Sequence, residues 1–112
     1  MNDSILTSVK ISIGITESDT SFDESLVHII NAIFSILTQL GAGPDTGFSI
    51  SDKTAVWSSY MNECPALEMV KEYVMLKADL MFDHSTKTGP VIEVCNRILA
   101  ELESRILYET DR

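Results

Sequence analysis

Apolar residues recur along this chain at helical spacing. The longest such run is FDESLVHIINAIFSILTQL, residues 22–40. At about 100° per residue, Leu26, Ile29, Ile30, Ile33, Phe34, Ile36, Leu37 and Leu40 cover most of a helical circumference. Glu24, His28, Asn31, Ser35, Thr38 and Gln39 form the remaining polar seam. The pattern predicts a helix in the middle of a bundle, its seam turned to water or to a neighbour. Ser21, with Glu24 three residues on, reads as a capping box that opens this helix, and Gly41 closes it in the C′ position.

The flanking segments predict shorter elements. Ile5, Leu6, Val9 and Ile13 have helical spacing behind Asp3 or Ser4 as cap. Ile11, Ile13 and Ile15 also alternate as in a strand, but a short helix ending near Gly14 is preferred. After Gly41, the run Gly43-Pro44-Asp45-Thr46-Gly47 makes a turn-rich loop that cannot continue a helix, and Phe48 and Ile50 alternate behind it. Ser51 or Asp52 then caps a short helix carrying Val56, Trp57, Tyr60 and Met61.

Pro65 opens a helix that runs to about Phe82, apolar in nearly every direction except for a stripe of Glu68, Glu72, Asp79 and Asp83. Lys77 points away from that stripe among Val70, Tyr73 and Leu80, where its stem snorkels or its ammonium meets a carboxylate of a neighbouring subunit. Past HSTKTG, Pro90 begins a last amphipathic helix with Val91, Val94, Cys95, Ile98, Leu99, Leu102 and Ile106 on one face. Leu107 and Tyr108 leave that face and are candidates for contact with another molecule. Together these elements predict an all-α fold: a small bundle of four to five helices with a Gly/Pro-rich loop, forming one domain over residues 1–112.

Composition narrows the function. With 17 acidic against 8 basic residues the formal charge is −9, a sign that repels phosphate backbones and argues against sequence-reading DNA binding. Residues 1–52 hold seven acidic residues against Lys10 alone and so carry −6 of that charge. Cys64 and Cys95 lack paired spacing, which fits a reduced, intracellular protein. The start, MNDSILTSVK, has no positive leader, and no apolar run approaches the roughly 18 residues of a membrane span, so the chain reads as soluble and unexported.

Sites of chemistry are sparse. Glu24 and His28 share a face at i, i+4, but a di-iron bundle needs a Glu-x-x-His spacing supplied twice. His28, Cys64, His84 and Cys95 show no zinc spacing, and no Gly-rich phosphate loop or nucleophile elbow is present. The stripe Glu68, Glu72, Asp79 and Asp83 is the best enzymatic lead, because carboxylates clustered on one helix can hold Mg²⁺ with a substrate phosphate. It loosely resembles the all-helical nucleotide pyrophosphatases, but the next helix lacks the facing acids and bases those enzymes add. A solvated or inter-subunit stripe is the preferred reading, with no cofactor.

The block HIINAIFSILTQLGAGPDTGFSISD, then Trp57, then VKEYVMLKADLMFD, then VIEVCNRILAELESRI resembles the small head-tail connector (adaptor) proteins of long-tailed bacteriophages. The GxGPxxGFSI loop is the most specific part. Relatives tend to place prolines where His84 and Ser85 stand, and often an aromatic residue where Ser104 stands. The resemblance implies a structural, non-enzymatic virion protein whose helical protomers form a ring of roughly a dozen copies. That ring would sit beneath the portal protein, above a tail-side stopper or tail-completion protein, with DNA passing through it unread and no membrane involved. The resemblance further implies portal docking by the C-terminal end, with Arg105, Leu107, Tyr108 and Arg112 as the residues. Gly43, Pro44, Asp45 and Phe48 are then assigned to a neighbouring subunit or the tail side, and Glu68, Glu72, Asp79, Asp83 and Lys77 to contacts between subunits. Two other classes compete: an Mg²⁺-dependent nucleotide hydrolase using the acidic stripe, and a small acidic regulator that binds a host protein.

Overall fold

The computed structural model describes residues 4–44, 46–61, 65–82 and 89–110. They form five helices: α1 (Ile5–Ile13), α2 (Asp23–Gln39), α3 (Trp57–Tyr60), α4 (Pro65–Phe82) and α5 (Gly89–Thr110). The all-α expectation holds. The described residues include no strand, and one isolated antiparallel bridge joins Ser4 to Val56.

Local chemistry sets most helix ends. Ser4 caps α1 by accepting the Thr7 N–H at 3.2 Å, and Gly14 ends it in the left-handed region at φ 99°. At the end of α2 the Gly41 N–H donates to Thr38 O and the Ala42 N–H to Leu37 O, both at 3.0 Å, which is the Schellman pattern. Gly41 supplies the positive φ of 93° that this pattern needs.

Two expected caps differ. The Ser21/Glu24 capping box does not form: the cap of α2 is Phe22, with no side-chain hydrogen bond. Asp19 Oδ1 instead accepts the Ser21 N–H at 3.0 Å, and that turn leaves Ser21 one residue outside the cap. Likewise, Asp52 accepts the Thr54 N–H at 2.9 Å in a local turn, and α3 begins only after Val56.

The helix in the middle is α4, not α2. α4 packs against α1, α2 and α5, and among its described side chains only Glu68, Glu72 and Met81 are exposed. Val70, Tyr73, Val74 and Ala78 are fully buried and meet Leu26, Ile30, Ile33, Phe34 and Leu37 of α2 in one core. Phe34 lies in an aromatic group with Phe48, Trp57 and Tyr60, at centroid distances of 5.0, 6.4 and 4.7 Å. α2 is one wall of the bundle, its seam exposed at Glu24, His28, Ser35 and Gln39.

α5 meets the core along a narrower face than its apolar residues suggest. Leu99 and Ile106 are buried, and Ile92, Cys95 and Leu102 pack beside them. Val91, Val94 and Ile98, expected on the same face, are exposed at 47, 50 and 45%. They flank the contact line with α4, and one neighbouring helix covers only part of so wide an apolar arc.

Candidate docking surfaces

α5 carries the widest exposed apolar surface. Val94 and Ile98 lie one turn apart on its outer side, flanked by Glu93–Arg97 and Glu101–Arg105 pairs at 2.9 and 2.7 Å. On the other side of the α4–α5 contact a shallow groove is lined by Lys77, Leu80 and Met81 of α4 and Ile92, Asn96 and Leu99 of α5. α5 is held in register by Tyr73, buried on α4, whose hydroxyl donates to Glu103 Oε2 at 2.6 Å. Burial, and then this carboxylate, push the Tyr73 phenol well above its ordinary range.

The four residues assigned to the C-terminal end do not share one face. Arg105 and Tyr108 lie three residues apart on neighbouring positions of α5, with Tyr108 exposed at 81%. Leu107, also exposed, falls roughly 160° around the helix from Arg105 at about 100° per residue. Arg112 lies outside the described residues.

The loop at residues 43–48 is anchored from within. The Gly47 N–H donates to Pro44 O at 3.0 Å, closing a turn. Phe48 points inward and meets the Phe34 and Tyr60 rings edge-on at 5.0 and 5.1 Å. Gly43, at φ 76°, lies so close to Tyr60 that a Cβ there would sit 2.5 Å from the ring. Asp45 lies outside the described residues.

On α4, Glu68 and Glu72 face solvent, with Lys71 Nζ 3.6 Å from Glu68 Oε2. Asp79 is half-buried, and Asp83 lies outside the described residues, as do Cys64 and His84. The Lys77 ammonium sits 5.8 Å from the centre of the Tyr73 ring, so an aromatic face serves where a carboxylate was one of the two expectations. Among the described residues no group of three or more His, Cys, Asp or Glu is placed to hold a metal ion, and no helix is long and apolar enough to cross a membrane.

Lys10 had no role in the sequence reading. It is 3% exposed at the end of α1, where its ammonium lies 2.9 Å from Asp23 Oδ1 and donates to Glu17 O at 2.9 Å. The contact with Asp23 is an ion pair, and Asp23 Oδ1 has no hydrogen-bond partner among the described residues. A lone cation one turn after Leu6, followed by an acidic segment, was the available signal.

A family model described as phage connector protein matches residues 5–112, all but the first four residues.

The chain belongs to the phage connector protein family.

No curated protein and no solved structure matches it. Family membership makes this connector a structural virion component and gives its exposed α5 surface a context, since a connector works by contact with other protein chains.

Proposed function

We propose that the chain is the head-tail connector itself: a non-enzymatic adaptor that binds beneath the portal as a ring and extends the DNA channel toward the tail. The family match over residues 5–112 carries this reading. The exposed Val94 and Ile98 stripe supports it, because a protomer with lateral neighbours keeps an apolar face for them. The formal charge of −9 supports passage of DNA without capture. Arg105, Leu107, Tyr108 and Arg112 dock to the portal; the loop at residues 43–48 meets a neighbouring subunit or the tail-side stopper. Glu68, Glu72, Asp79, Asp83 and Lys77 serve contacts between protomers, in a particle assembled in the host cytoplasm.

Electron microscopy of the protein mixed with its portal tests the proposal. Rings capping the portal are expected from the full chain and none from a chain ending at Ile106, although that variant stays folded. Absence of rings with the full chain, or unchanged joining by the truncated one, overturns the respective assignment.

A further inference from the structure

A cavity of about 490 Å³ opens between the start of α1, the α1–α2 connection, the first turns of α2 and residues 51–54. This volume lies within the range of small-ligand and peptide side-chain pockets. Its inner wall includes Leu6 and Val27 together with the Lys10–Asp23 pair, whose charges cancel. Its rim is exposed and unbalanced: Glu17, Glu24 and Asp52 stand there against Lys53, an excess of two negative charges. Asp52 is kept ionised by the Thr54 hydroxyl and N–H, which hold its carboxyl below the usual range. His28 is the remaining titratable group on the wall.

We propose that this cavity is a docking site for a basic segment of a partner protein, one aliphatic side chain entering toward Leu6 and Val27 while flanking lysines or arginines meet Glu17, Glu24 and Asp52. Charge complementarity selects that occupant over an acidic one, because an acidic segment would face the three rim carboxylates with only Lys53 to offset them. The apolar wall selects a short aliphatic-centred sequence over a free metal ion or a nucleic-acid phosphate. The site is a property of the folded chain and does not depend on the ring or on portal docking, so truncating α5 does not bear on it.

The test is an amide-resolved NMR titration of the full chain with the capped tripeptide Lys-Leu-Lys, alongside Glu-Leu-Glu and Lys-Ser-Lys. Lys-Leu-Lys should shift the amides of Thr7, Val27 and Thr54 at millimolar concentration, Lys-Ser-Lys should bind more weakly and Glu-Leu-Glu should not bind. The double variant Glu24→Gln/Asp52→Asn, altered only at exposed positions, should weaken binding by about threefold or more, the size expected for two exposed charge contacts. No shift up to about 10 mM overturns the proposal. Equal shifts with Glu-Leu-Glu, or shifts centred on Glu68 and Glu72 instead, overturn it equally.

Discussion

Asn31 and Ile50 exchange two hydrogen bonds across 19 residues of sequence: Asn31 Nδ2 donates to Ile50 O at 3.0 Å, and the Ile50 N–H donates to Asn31 Oδ1 at 2.8 Å. A side-chain amide thus pairs with a backbone peptide as one strand residue pairs with another. This pins the segment after the Gly/Pro loop to the wall of α2 and positions Phe48 over Phe34. Asn31→Ala removes both bonds and takes their partner from the Ile50 N–H and C=O alike, so a loss of about 2 kcal/mol is expected. Urea unfolding measures the loss, and amide exchange should quicken in residues 46–56 before it does in α4. Unchanged exchange there would show that the pair does not hold the loop.

Lys10→Met should cost about 1–3 kcal/mol, because Asp23 then keeps a partly buried charge with no cation and Glu17 O loses its donor. Adding Asp23→Asn should recover part of that cost. A double-mutant cycle with no coupling between the two positions would contradict the pairing.

Gly43→Ala and Gly14→Ala separate backbone strain from steric clash. Both glycines have positive φ, 76° and 99°, but only the Gly43 Cβ would meet the Tyr60 ring, at 2.5 Å, whereas nothing lies within 4 Å at Gly14. Gly14→Ala should cost about 1–2 kcal/mol and Gly43→Ala clearly more. Equal thermal shifts would refute the close approach.

Tyr60 is buried with its hydroxyl unpaired among the described residues, and burial pushes its pKa from 10.0 up to about 12. Because the folded-state pKa is the higher one, the stability linked to the neutral phenol is fully present below pH 10 and declines as pH rises from 10 to 12. Tyr60→Phe removes a hydroxyl that makes no bond among the described residues, so it should leave stability equal or raise it by about 1 kcal/mol and soften the alkaline decline. Urea midpoints at pH 7 and above pH 10 read both effects, and a large loss at pH 7 would mean that the hydroxyl has a partner.

Val94→Glu and Ile98→Glu alter exposed positions, so each should change stability by less than about 0.5 kcal/mol while, on the proposed ring, disrupting self-association. Light scattering alongside circular dichroism separates the outcomes. Assembly that tolerates both charges would move the protomer contact elsewhere.

The helices themselves were legible because their signals are local. Ser4 and Gly14 bracket α1 and Gly41 ends α2 through bonds to residues within a few positions, and Pro65 opens α4, where a missing N–H costs no helical bond. Of the four-residue acidic stripe expected on α4, Glu68 and Glu72 are exposed, whereas Asp79 is half-buried and Asp83 lies outside the described residues. The Ser21/Glu24 box misled because a cap pattern states what two side chains can do, and the Asp19 turn displaced Ser21 from the place where it could act.

What the sequence determined alone was the set of helices, their approximate ends and the all-α class, which follow from short-range periodicity and cap spacing, together with a family resemblance carried by particular residue blocks, the GxGPxxGFSI loop above all. Tertiary structure decided that α4 and not α2 is the central helix, since two strongly apolar helices cannot be ranked without knowing their neighbours. It also decided which residues of α5 reach the core. The apolar arc of that helix spans roughly 160° at about 100° per residue, whereas the single helix packed against it covers the side of Ile92, Leu99 and Ile106 and leaves Val94 and Ile98 outside. The contacts of Asn31 with Ile50, Lys10 with Asp23 and Tyr73 with Glu103 join positions 19, 13 and 30 residues apart. Periodicity acts over a few turns of one helix, so only packing brings such pairs within bonding distance.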